Sequence, residues 1–230
     1  MEHWIYTTSI GGHAISLNLD TIFTMWFAMI VVIIFALLAT KNLSIVPGKL
    51  QAISESIMKF FYGTLDTMIE TENRKHVPLV ASLFLFIVTA NLMGQLPLRI
   101  IHLKNGSELA SPTNDINLTA AMAVIVLIYY VFMGIKAKGP KLFLHEFSFT
   151  GIVMALVEIL EMFTRPLSLA IRLFANIFAG EILVSIALGS LAYFLPLPIM
   201  LFEILVAFIQ ATVFMMLTIA YIGSATKEEH

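Results

Sequence analysis

Residues 149–189 read FTGIVMALVEILEMFTRPLSLAIRLFANIFAGEILVSIALG, an apolar run that carries Glu158, Glu161, Arg165, Arg172 and Glu181. As a helix rising 1.5 Å per residue it extends roughly 60 Å, against about 30 Å for the hydrocarbon core of a bilayer. Either two spans meet near Arg165-Pro166, or one steeply tilted helix bends at that proline. The distribution of charge elsewhere in the chain separates these options.

Hydrophobic residues make up 59% of the 230 residues and charged ones 12%, and mean hydropathy is +0.93. That composition excludes an ordinary soluble domain and suits a single bundle of membrane helices. Net charge is −2, which gives no reason to expect a nucleic-acid partner. With no cysteine, neither a disulfide framework nor a thiolate metal site can form. No Lys or Arg precedes the first apolar run, which instead follows Glu2 and Asp20. The N-terminus therefore reads as a short polar tail rather than a secretory signal.

The first span is expected at 22–40, which is free of charge. After Pro47-Gly48, residues 49–72 place Ile53, Ile57, Phe60, Phe61, Leu65, Met68 and Ile69 at helical spacing, with Lys49, Glu55, Lys59, Asp66 and Glu70 on the remaining surface. That pattern predicts an amphipathic helix lying on the membrane. Further spans are expected at 77–98 and 116–134, separated by a polar loop, and a short basic loop runs from Ile135 to Lys141. The stretches 149–189 and 196–222 complete a single integral membrane domain. Placing the amphipathic helix, the basic loop and the C-terminus in the cytoplasm puts most Lys and Arg inside. This requires five crossings with the N-terminus outside, so 149–189 is one tilted helix. The fold class is all-α integral membrane, with five membrane helices, one interfacial helix, and a final strongly tilted hairpin. No internal repeat of the kind that marks many secondary transporters is visible.

Glu158, Glu161, Arg165, Ser168, Arg172 and Asn176 follow one another at intervals of three or four and line one helix face. A charge at a helix centre costs about 2.5–3.5 kcal/mol on insertion scales, so this face must meet protein or water. Glu161 and Arg165 are i,i+4 partners and are expected to pair. Arg172 is different. No carboxylate lies three or four residues from it, and a guanidinium stays protonated. Folding the hairpin about Ala192 sets Glu181 level with Glu203 and Arg172 level with Thr212, with Gln210 close by. The chain thus offers Arg172 an amide and no acid, which implies an acidic group from elsewhere. Glu181 lies about 180° around the helix from Arg172, facing the final helix or an aqueous pocket. Glu203 and Gln210, seven apart, share a face. Two carboxylates at similar depth cannot both carry charge cheaply, which leaves Glu203 open to two readings, a proton relay or a satisfied interfacial acid.

All six His residues lie outside the predicted spans or at their edges, which argues against haem ligation in the membrane. Neither a His-Glu-x-x-His nor a Gly-x-Ser-x-Gly pattern occurs. Ser111-Pro-Thr-Asn-Asp115-Ile-Asn117 reads as a turn and helix cap in which Asp115 or Asn117 satisfies free N–H groups. No cofactor or metal site is indicated.

In three stretches the chain resembles the subunit a family of the F-type rotary ATP synthases. They are Arg165-Pro-Leu-Ser-Leu-Ala-Ile-Arg172-Leu-Phe-Ala-Asn176 with Ala179-Gly-Glu181, Glu203 followed by Gln210, and Ala220-Tyr-Ile-Gly223 with the acidic tail. Asn91-Leu-Met-Gly-Gln-Leu-Pro97 and Pro112-Thr-Asn-Asp115-Ile-Asn117 match its style too. The resemblance implies a stator subunit beside a rotating ring of small hairpin membrane subunits, each with one intramembrane carboxylate, and held by peripheral-stalk membrane subunits. It implies a proton-translocating role without nucleotide binding, no enzyme activity of the chain alone, and the bacterial plasma membrane rather than the thylakoid. Carried over by position, Arg172 is the essential charge facing the ring carboxylate. Ser168, Asn176, Glu181, Glu203 and Gln210 then belong to the proton path, and Glu158, Glu161 and Arg165 to the inner half-channel. Some members have His where Glu203 stands. The alternative is a secondary cation/proton transporter that uses Arg172 and the membrane carboxylates as its own site.

Overall fold

Within a bilayer no water is available to satisfy backbone N–H and C=O groups, so uncharged apolar stretches of about twenty residues fold as helices. The computed structural model describes residues 5–10, 13–41, 43–69, 73–95, 111–138, 149–189 and 196–226. The polar loop before Ser111, the basic loop after Lys138 and the acidic tail lie outside the described residues. Strands β1 (Ile5–Ile10) and β2 (His13–Asn18) come first. The helices α1 (Leu19–Thr40), α2 (Lys49–Met68), α3 (Val77–Gln95), α4 (Ile116–Lys138), α5 (Phe149–Gly189) and α6 (Pro196–Thr226) follow. Two 3-10 turns, Asn73–His76 and Pro112–Asn114, precede α3 and α4.

Five of the helical stretches are long and apolar enough to cross a membrane: Leu19–Thr40, Arg74–Gly94, Ile116–Ala137, Leu160–Ala187 and Leu197–Thr226. Apart from its N-terminal strand pair the chain is all-α, a multi-pass membrane protein. Its outward side chains include Trp26, Ile128, Leu167 and Leu205, each more than half exposed, a surface suited to lipid contact. α2 stands apart from the spans. Glu55, Lys59 and Asp66 are exposed on it, whereas Phe61 and Leu65 are fully buried.

α5 continues through Pro166 without a break. A proline within a helix lacks the N–H that would bond the carbonyl four residues back, and here that carbonyl belongs to Met162. Tyr130 Oη donates to this carbonyl at 2.9 Å, so the acceptor freed by the proline is satisfied from α4.

The N-terminus departs from the polar tail expected of it. β1 and β2 pair antiparallel, in register from Ile5 with Asn18 to Ile10 with His13. In sequence Gly11-Gly12 separates them, a dipeptide favoured in two-residue hairpin loops.

Packing divides into two compact units, each built from several helix segments. The first comprises Met1–Asn42, Leu85–Asp115 and Phe174–Ala211. Small side chains let its helices approach closely, with Ala28 and Ala90 fully buried beside Met93 and Phe86. The second comprises Leu43–Phe84, Ile116–Leu173 and Thr212–His230. There Phe61 meets Phe84 edge-on at 5.4 Å, and Leu169, Leu173, Phe214, Ile219 and Ile222 are fully buried.

A buried polar network and an exposed arginine

On α5, Ser168, Arg172 and Asn176 are all exposed, as their common face requires. Among the described residues, Arg172 makes no hydrogen bond and no ion pair. Glu161 and Arg165 pair as their spacing predicts, with Arg165 Nη2 donating to Glu161 Oε2 at 2.5 Å. Arg165 also donates from Nη1 to Ser224 Oγ at 3.1 Å and lies over the Tyr221 ring at 5.3 Å. These contacts set α5 against α6 in the second unit. The side chain of Glu158 falls outside the described residues.

The first unit gathers the remaining polar candidates. Asn176 Nδ2 donates to Gln210 Oε1 at 2.6 Å. Gln210 is 3% exposed, and its Nε2 has no hydrogen-bond partner among the described residues. An amide N–H buried without a partner is costly. Glu203 is 6% exposed and lies against α5 at Gly180, where a Cβ would stand 2.5 Å from Oε1. A side chain at position 180 would meet the end of the Glu203 side chain and require it to shift.

Glu181 is 3% exposed, and two hydrogen bonds tie it to the turn before α4. The Ser111 backbone N–H donates to Oε1 at 3.1 Å and Asn114 Nδ2 to Oε2 at 2.7 Å. The turn satisfies two N–H donors by placing them on this acid. Helical angle sets the direction in which Glu181 leaves α5, away from Arg172, but it cannot name the element met there.

The turn is fixed in its own right. Asn114 and Asp115 N–H groups bond back to the Ser111 and Pro112 carbonyls, giving the turn expected from Ser111 to Asn117. Asp115 has a longer reach than local capping: its Oδ2 accepts from Asn18 Nδ2 at 2.9 Å and Thr21 Oγ1 at 3.1 Å. Behind the turn, Ser111 Oγ donates to the Ala90 carbonyl at 3.0 Å. Thr113 Oγ1 donates to Asn91 Oδ1 at 2.8 Å, and Asn91 Nδ2 to the Ala207 carbonyl at 3.4 Å. Asn91 and Thr113 are fully buried. The close approach depends on Gly94, where a Cβ would stand 2.5 Å from that of Ser111.

Asn91, Ser111, Thr113 and Asn114 are thus members of the polar network that spacing along α5 could not reveal. Their signal in the sequence is compositional: one small polar residue inside the second predicted span and three just before the third.

The family model described as ATP synthase A chain matches residues 22–223. The chain is 40% identical over 235 residues to ATP synthase subunit a of Gloeobacter violaceus, covering 97% of this chain and 93% of that one. It is 37% identical over 231 residues to the chloroplastic ATP synthase subunit a of Stigeoclonium helveticum, covering 100% and 92%.

Proposed function

Because this chain belongs to the ATP synthase A chain family, we propose that it is the proton-conducting stator subunit of a rotary F-type ATP synthase. It binds no nucleotide itself. Its partners are a ring of small hairpin membrane subunits, each bearing a carboxylate, and the membrane subunits of a peripheral stalk. The N-terminus faces outward and the C-terminus the cytoplasm of a bacterial plasma membrane.

Arg172 carries this reading. It is exposed on an apolar helix and has no counter-ion among the described residues, where an isolated charge is least tolerable. A carboxylate on a moving neighbour supplies that counter-ion. As a permanent cation, Arg172 favours the ionised form of each ring acid that passes it, and it repels protons that would cross directly. The outer half-channel runs by Glu181, Glu203, Asn176 and Gln210, with Ser168 one turn before Arg172. A ring acid protonated from this path loses its charge and can turn into lipid. It releases the proton at the inner half-channel, near Glu158, Glu161 and Arg165. Each charge moved through 100 mV supplies about 2.3 kcal/mol, so several translocations drive one synthesis event elsewhere in the complex.

The test is ATP-driven proton pumping by inverted membrane vesicles carrying the assembled complex. Arg172→Ala is expected to abolish pumping with assembly intact. Pumping at the unsubstituted rate would refute the role.

A further inference from the structure

Both oxygens of Glu181 accept hydrogen bonds from amide nitrogens, the Ser111 backbone at 3.1 Å and the Asn114 side chain at 2.7 Å. An amide N–H only donates. It cannot accept a proton from one side and release another, as a hydroxyl or carboxyl can. The turn therefore holds this acid without feeding it protons. We propose that Asn114 is a positioning residue that fixes the Glu181 carboxylate, with the Ser111 backbone as the second point of attachment.

The anchor behind these donors is rigid for a physical reason. Ser111 is tied by its hydroxyl to the Ala90 carbonyl and contacts the Thr113 hydroxyl at 2.8 Å. Thr113 is tied through Asn91 to the Ala207 carbonyl of α6. Glu181, Asn91, Ser111 and Thr113 are all at most 3% exposed, and in such surroundings each unmade bond would leave a buried polar group unsatisfied. Asn114 must present Nδ2 to the acid because an ionised carboxylate only accepts. Nδ2 is the atom by which Asn114 reaches Glu181, and its Oδ1 has no hydrogen-bond partner among the described residues. The turn, α3 and α6 together act as a mount for one carboxylate on α5.

This inference rests on the reading that Glu181 belongs to the proton path, and the experiment separates the two. ATP-driven pumping is measured in vesicles carrying the assembled complex with Glu181→Gln, Asn114→Asp and both together. In Glu181→Gln the tie survives, because Asn114 can turn over and present Oδ1, so a slower rate reports the carboxylate alone. Asn114→Asp sets a carboxylate against a carboxylate and is expected to slow pumping about tenfold or more. The double variant reverses donor and acceptor across the same gap, while the side-chain carbonyl introduced at position 181 still accepts from Ser111. Its rate is expected to match that of Glu181→Gln rather than the product of the two losses, a recovery that a general structural role would not give.

Multiplicative losses in the double variant, or an unaffected Asn114→Asp, overturn the positioning role, and a slow Glu181→Gln then leaves the path reading intact. Unsubstituted rates in Glu181→Gln remove the path reading itself. Should Asn114→Asp fail to assemble, Asn114→Gln keeps the amide donor and is expected to pump faster than Asn114→Ala; equal rates overturn the proposal.

Discussion

The Glu203 carboxylate on α6 rests against Gly180 on α5, so closely that a methyl group there would stand 2.5 Å from Oε1 and 2.9 Å from the carboxyl carbon. A side chain there would be accommodated by a shift of the carboxylate, the far end of a flexible side chain. Helix geometry alone would favour almost any other residue at Gly180, since glycine in a helix interior is about 1 kcal/mol less favourable than alanine. Local preference and the observed position of the Glu203 carboxylate therefore pull in opposite directions at this position.

Gly180→Ala is accordingly expected to strengthen α5 locally while displacing the Glu203 carboxylate. The contact is with the end of a flexible side chain, so the carboxylate moves aside at little cost to the fold. Proton pumping should fall about tenfold with the subunit still present in the membrane. Quantifying pumping and subunit abundance in the same vesicles checks this, and an unchanged rate would show that the carboxylate position is immaterial.

Arg172→Lys should fail almost as completely as Arg172→Ala. Lysine keeps the charge but loses the planar, multidentate donor set and is more strongly hydrated. Coupled pumping is expected below about one per cent of the unsubstituted rate, corresponding to roughly 3 kcal/mol. Passive proton permeability, followed separately by dye-reported decay of an imposed gradient, should not fall.

The Asn176–Gln210 bond, 2.6 Å long, joins two side chains of unequal burial. Gln210→Leu removes the acceptor for Asn176 and the spare buried donor, whereas Asn176→Leu removes only one partner of the bond. Gln210→Leu should therefore slow pumping more, by about tenfold against about threefold, consistent with roughly 1 kcal/mol for a neutral hydrogen bond. The double variant should resemble Gln210→Leu alone; independent, multiplicative losses would mean the two side chains do not act together.

Reconstituted by itself in liposomes, the chain should neither exchange protons with a gradient nor couple them to another cation. A secondary transporter would do so unaided. Stimulated uptake by the isolated chain, measured with an internal pH dye, would favour that alternative.

Glu161→Gln is expected to have little effect on stability, because its ion pair with Arg165 is half exposed, with side chains 49% and 32% accessible. Such pairs contribute about 0–1 kcal/mol, and Arg165 retains Ser224 and the Tyr221 face. Thermal unfolding of the purified complex should shift by no more than a few degrees.

Much of this architecture is legible in the sequence because its causes are local. Five apolar stretches dictate membrane helices, whatever surrounds them, and the three-or-four spacing from Glu161 to Asn176 places those residues on one face of α5. The Glu161–Arg165 pair follows from the same spacing. The β1–β2 hairpin does carry a local signal, Ile5, Tyr6, Thr7 and Thr8 before the Gly11-Gly12 pair, but it is a short one beside the long apolar runs of the spans. The partners of Glu181 escape a local reading: they lie 67 and 70 residues away in the chain.

Hydropathy and helical period act over a few residues, and they suffice for the helices, the excess length of α5 and the lack of a nearby acid for Arg172. Packing in three dimensions was needed to set Glu181 in the grip of the Ser111–Asn114 turn, to lay Glu203 against Gly180, and to join Asp115 to Asn18 and Thr21. Buried polar groups must find partners wherever packing brings them, and that search extends across distances no local pattern encodes.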